Sequence, residues 1–98
     1  MSIDNELLAD YAFERLESAF SDLVRRHIVL VYFAALRETA GNETLAEDVT
    51  RTVFLEMGRK ATAIYGHAAL ASWLYNRVRR RAACVHRKMA RKTSVRHT

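Results

Sequence analysis

A chain with no proline and only three glycines, Gly41, Gly58 and Gly66, has few places at which a helix is forced to stop. Over 98 residues that composition excludes collagen-like, Pro-rich and Gly-linker classes. Half of the residues are apolar, and 15 of these are alanine, which suits closely packed helices. A chain of this length makes one domain, able to bury somewhat under ~70% of its unfolded surface. The expected fold class is all-α: a compact bundle of about four helices ending in a long basic C-terminal helix.

Four helical segments are predicted. The first starts near Asp4, a plausible N-cap, and carries Leu7, Leu8, Tyr11 and Leu16. The second starts near Ser18, another candidate N-cap, with Phe20, Leu23, Val24, Ile28, Val31 and Ala35 at helical spacing. Residues 27–33, rich in β-branched and aromatic side chains, could alone be a buried strand, but the surrounding 3.6-residue period favours helix. Gly41-Asn42 makes the turn, and Thr44-Leu45-Ala46-Glu47 reads as a capping box opening the third helix. That helix places Ala46, Val49, Val53, Phe54 and Met57 on one face, and Gly58 is expected to loosen its end. A connection over residues 62–67, centred on Tyr65-Gly66, leads to a fourth helix over residues 68–92. Its buried stripe is expected to be Leu70, Leu74, Val78, Ala82, Val85 and Met89. The domain is therefore set at 1–92, with 93–98 as a disordered tail or the start of a linker.

Charge is divided unevenly along the chain. Residues 1–58 hold all 11 acidic side chains and five basic ones, a formal charge of −6. Residues 59–98 hold 11 basic side chains and no acidic one, a formal charge of +11. That split points to two jobs for the two ends, with a polyanion as the partner of the second. The longest continuous apolar run, residues 28–36, is far short of a membrane span, so no membrane association is expected. There is no basic-then-apolar secretory segment. The single cysteine, Cys84, fits a reducing compartment, and the expected location is cytoplasmic.

On the last helix Arg77, Arg80, Arg81, Cys84, Arg87, Lys88 and Arg91 share one face, with Trp73 and Asn76 beside them. Cations neutralise phosphates, while an indole or an amide can stack on or hydrogen-bond a base, so this ridge suits nucleic acid. The bland alternative is a solvated face. Tyr65 and His67 in the preceding loop could line a pocket for an unstacked base, or the tyrosine could plug the end of the bundle. On the third helix Leu55 stands among Glu47, Asp48, Arg51 and Arg59. That is either an ordinary exposed leucine or part of a small protein-docking surface.

Enzymatic patterns are poor. The four histidines are scattered, Cys84-Val85-His86 is not a zinc spacing, and no Gly-rich phosphate loop exists. No catalytic residue, metal or cofactor is expected.

Three stretches carry a family resemblance. They are Phe20-Ser21-Asp22-Leu23-Val24-Arg25-Arg26-His27 leading into Leu30-Val31-Tyr32-Phe33-Ala34-Ala35-Leu36-Arg37; Leu45-Ala46-Glu47-Asp48-Val49-Thr50-Arg51-Thr52-Val53-Phe54-Leu55; and Ser72-Trp73-Leu74-Tyr75 before the basic helix. In order and spacing the chain resembles conserved region 2 of the extracytoplasmic-function sigma factors of bacterial RNA polymerase, over about residues 18–92. The middle stretch is similar to the family's Ala-Glu-Asp-hydrophobic-x-Gln-x-x-Phe motif.

The resemblance implies two surfaces. Glu47, Asp48, Arg51 and Leu55 would dock on the clamp helices of the polymerase β′ subunit. Tyr65, His67, Trp73, Asn76, Arg77, Arg80 and Cys84 would bind the promoter −10 element and hold an extruded non-template base, with Arg81, Arg87, Lys88 and Arg91 extending the basic face. An anti-sigma factor is a candidate further partner. The chain departs from the family at Arg51, where glutamine is usual, and at Arg80 and Cys84, where asparagine is frequent. The family's second domain, region 4, has no counterpart up to Thr98, and the expectation is a truncated chain or a gene fragment. Two other functions are set against this one: a nonspecific nucleic-acid-binding helical domain, and a protein-interaction module whose basic helix is only solvated.

Overall fold

The apolar run 28–36 is helical, as the surrounding period predicts. The computed structural model describes residues 2–66 and 69–96, with side chains through Arg91. The elements are α1 (Ile3–Glu14), α2 (Glu17–Glu38), α3 (Glu43–Arg59), the single turn α4 (Ala61–Ile64) and α5 (Leu70–Arg96). No strand occurs among the described residues. The chain is an all-α bundle in which α2 is the hub, packed on α1, α3 and α5, while α3 also packs on α5 and α4 on α1.

One core runs through all five helices. Leu8, Leu23, Val49, Val53, Met57, Leu74 and Val78 are its largest fully buried side chains. Ala34 and Ala35 of α2 and Ala46 of α3 are buried in the same cluster. Small residues there let two backbones approach closely, which is where the alanine content is used. The expected stripe of α3 is buried in full, and that of α5 is buried from Leu70 to Val85.

Helix ends differ from expectation, each for a visible reason. Ser2 precedes α1, so Asp4 is the second residue of the first turn, where its carboxylate bonds Arg26 and His27 of α2 rather than the helix end. Leu16, in extended conformation, stands at the N-cap of α2 in place of Ser18. The capping box at Thr44 does not form. Asn42 caps α3 instead, its Oδ1 accepting the Leu45 amide at 3.1 Å, so the helix begins before the threonine. Thr39 closes α2 by donating its hydroxyl to the Ala35 carbonyl at 2.8 Å. Gly58 does not loosen α3, which runs on to Arg59. A Cβ there would lie 3.0 Å from the Phe20 ring, so the glycine makes room for the Tyr11–Phe20 aromatic pair.

Three further corrections concern exposure and length. Ile28, expected in the buried stripe of α2, is 40% exposed because it borders a groove rather than the core. Met89, expected in the stripe of α5, is 48% exposed. The reason is the length of α2: it ends at Glu38, whose carbonyl meets His86 Nε2 at 2.7 Å, so α2 does not accompany α5 beyond that level. Finally, the tail expected from Thr93 is helical as far as Arg96. Projection of α5 past the bundle goes with the long shape of the molecule, 53 × 21 × 21 Å. Among the described residues no helix is long and apolar enough to cross a membrane.

Candidate functional site

Two surfaces hold the residues singled out above. The first is an apolar groove of about 460 Å³ between α2 and α3. Phe20, Val24, Ile28 and Tyr32 form the α2 wall; Glu47, Thr50, Arg51, Phe54 and Leu55 form the α3 wall. Glu47, Arg51 and Leu55 are spaced i, i+4, i+8, which puts them in one row along the outer face of the helix. Leu55 is 58% exposed, a large apolar side chain at the lip of the groove. Asp48 is also exposed but does not line the groove; its carboxylate faces Arg51 at 3.9 Å, a loose pair between well-solvated groups. Three of the four expected protein-docking residues therefore meet at one concave site. Most of the α2 wall is hidden in the sequence because Phe20, Val24 and Ile28 fit the apolar stripe expected to face the core, and Tyr32 lies outside that stripe. For Ile28 and Tyr32 the distinguishing signal is that 28–36 is apolar all round, more than a single buried face needs.

The second surface is α5, whose cations fall into three groups by angle around the helix. Toward α3, Arg77 donates from Nη1 to Glu56 Oε2 at 3.2 Å, and its guanidinium lies 5.0 Å from the centre of the Trp73 ring. Trp73 is half-buried and packs on the core. Arg81, also on the flank of the buried stripe, is half-buried, with its Nε shielded from solvent and without a hydrogen-bond partner. Toward α2, Arg79 faces Glu38 at 3.7 Å, about two turns before His86. Away from both helices, Asn76, Arg80, Arg87, Lys88 and Arg91 are exposed, with Cys84 half-buried between them. Asn76, Arg79, Arg80 and His86 also line a shallow polar depression with Glu38.

The expected ridge thus divides. Arg80, Arg87, Lys88 and Arg91 are open to a polyanion, whereas Arg77 is already matched by a carboxylate and an indole. Arg79 and His86 join the edge of this surface without having been singled out from the sequence. Only the partner at the end of α2 reveals them, and Glu38 is 48 residues from His86 in the chain.

Tyr65 belongs to the α1 side of the bundle. Its ring meets Phe13 edge-on at 5.5 Å, and it is 41% exposed, so it does not plug the bundle. A cleft of about 400 Å³ beside it is lined by α1, including Glu6 and Asp10. His67 lies outside the described residues. No group of acidic, histidine and cysteine side chains suited to a metal occurs among the described residues.

One ion-pair network fixes the angle at which α1 meets α2. Asp4 Oδ1 accepts from Arg26 Nε at 3.0 Å and faces His27 Nε2 at 2.9 Å. Burial alone pushes the Asp4 carboxyl up, but the hydrogen bonds and charges of His27 and Arg26 outweigh it and hold it below its usual value. Comparison of the chain with protein-family models, with curated proteins and with solved structures finds no match.

Proposed function

We propose that this chain recognises and melts the promoter −10 element as a region 2 domain of the extracytoplasmic-function sigma type, while docked on the β′ clamp helices of RNA polymerase. The observation that carries the reading is the separation of two chemically different surfaces. Three of the four residues that the family resemblance assigns to polymerase line an apolar groove between α2 and α3, and four cations of the helix that the resemblance assigns to DNA stand exposed on α5. The mechanism is capture without bond chemistry. Phosphate contacts from Arg80, Arg87, Lys88 and Arg91, with hydrogen bonds from Asn76, hold a single strand and offset the few kcal/mol lost when a base leaves the stack. Arg80, where the family often has asparagine, can pair bidentately with guanine or hold a phosphate. The cytoplasm, where polymerase acts, is the proposed location.

The test is binding of a single-stranded non-template −10-like oligonucleotide across a salt series. Four outward cations on phosphates give a slope of log K against log salt of roughly −2.8. A slope near zero removes the DNA reading, and equal affinity for all sequences reduces it to nonspecific binding. In parallel, Leu55→Asp should abolish capture of the β′ clamp helices without changing the melting temperature. Undiminished capture would sink the polymerase assignment.

A further inference from the structure

Where α2 ends against α5, polar side chains from both helices surround an open depression of about 510 Å³. Glu38 forms the α2 wall, and Arg79 and Arg80 stand opposite, bracketed along α5 by Asn76 and His86. Ala82 and Ala83 add a small apolar surface. Glu38 is the last residue of α2, where a carboxylate opposes the helix dipole, so this acid is not there to stabilise its own helix. His86 Nε2 donates to the Glu38 backbone carbonyl at 2.7 Å, which ties the end of α2 to α5 and sets the two walls at a fixed spacing.

Across the depression Arg79 Nε lies 3.7 Å from Glu38 Oε1, with the two side chains 63% and 37% exposed. That is too long for a hydrogen bond and too solvated to hold the fold by much. Both groups therefore keep their bonding capacity: an ionised carboxylate accepts about four hydrogen bonds, and a guanidinium has about five N–H donors. Side by side they offer a run of acceptors followed by a run of donors. Guanine alone among the bases carries the complement on one continuous edge, with N2–H and N1–H followed by O6 and N7. Cytosine comes second, with N4 as its one donating group beside N3 and O2. Adenine and thymine alternate donor and acceptor, and so cannot satisfy both side chains. A base in a duplex has its N1 edge paired, so only an unpaired guanine fits.

We infer that the depression at the end of α2 is a pocket that reads an unpaired guanine. Glu38 accepts from N1–H and N2–H, Arg79 donates to O6 and N7, and Arg80 holds the adjoining phosphate. The inference rests on the proposed function for the source of the base, a single strand; a free guanine nucleotide presents the same edge and is the other source.

The experiment uses the full chain and fluorescent oligothymidine strands with one central guanine, adenine, cytosine or base analogue, read by anisotropy. The guanine strand should bind about tenfold more tightly than the adenine or all-thymine strand, with cytosine between. Hypoxanthine, which lacks the N2 amine, should fall to about the cytosine level, and 7-deazaguanine, which lacks N7, should lose about threefold. Glu38→Ala keeps the backbone carbonyl that holds His86, and it should bring every strand to the all-thymine affinity at an unchanged melting temperature. Equal affinity for all bases, or a guanine preference that survives Glu38→Ala, overturns the inference and leaves the proposed function standing. If no strand binds, the proposed function fails and guanosine monophosphate decides the pocket. Shifts of the Ala82 and Ala83 amide resonances with guanosine but not adenosine monophosphate uphold it, with the free nucleotide as the source; equal or absent shifts overturn it as well.

Discussion

The two halves of α5 carry the same residue types to different ends. Between Leu70 and Val85 the helix is sandwiched between α2 and α3, and arginines on its inner flanks are drawn to the bundle, Arg77 to Glu56 and Trp73 and Arg79 to Glu38, while Arg80 on the outer side stays exposed. Beyond His86 α2 no longer accompanies it, and Arg87, Lys88 and Arg91 are exposed. A count of positive residues treats these groups alike. Position around and along the helix separates cations that hold the fold from cations free to meet phosphate.

The largest test of this contrast is truncation in the packed half. Leu74 is fully buried between α2 and α5, so Leu74→Ala should destabilise the domain by about 2–5 kcal/mol in urea unfolding, through lost burial and a residual cavity. A cost below about 1 kcal/mol would mean that the N-terminal half of α5 is not integral to the core. Next comes Arg77→Ala, which leaves the half-buried Glu56 carboxylate without its donor and uncovers Trp73. The expected loss is about 2 kcal/mol, with no change in the salt dependence of oligonucleotide binding. If the slope flattens, Arg77 touches phosphate after all and the division between the halves is wrong.

At the other end of the bundle, Asp4 offers a comparison with ionic contacts that are purely structural. Its carboxyl titrates lower in the fold than in the unfolded chain, so its contribution is complete above the unfolded value of about 3.9 and is lost as the pH falls through the lowered folded value. Asp4→Asn should cost about 1–2 kcal/mol at pH 7 and flatten the loss of stability below about pH 4. An unchanged acid profile would show that α1 is not held by this pair.

Much of the fold was legible in the sequence because period and punctuation agree. The stripes of α3 and of the packed part of α5 follow from spacing alone, since both helices bury one continuous face. What could not be read were effects that depend on a distant neighbour. The exposure of Met89 follows from where α2 stops, and the capture of Arg77 from Glu56, 21 residues earlier in the chain. The capping box at Thr44 failed because Asn42, two residues earlier in the turn, accepts the Leu45 amide instead, and local pattern does not rank two competing caps. The candidate site was legible by residue type and only partly by role: Glu47, Arg51 and Leu55 converge on one groove, while its α2 wall was hidden among residues that also read as core.

The smallest effect on stability makes the sharpest distinction. Lys88 is exposed, on the part of α5 that projects past His86, so Lys88→Ala should change stability by less than about 0.5 kcal/mol. If its ammonium meets a phosphate, the same change should flatten the single-strand salt slope by about 0.7 and weaken all sequences alike. Arg77→Ala and Lys88→Ala then form a double dissociation within one helix, one altering stability and not salt dependence, the other the reverse. A charge that merely solvates the helix would alter neither, because a hydrated ammonium releases no counterion from DNA. A Lys88→Ala variant with wild-type slope would therefore remove Lys88 from the phosphate contacts, and the same change at Arg87 and Arg91 would decide whether the projecting turns meet DNA at all.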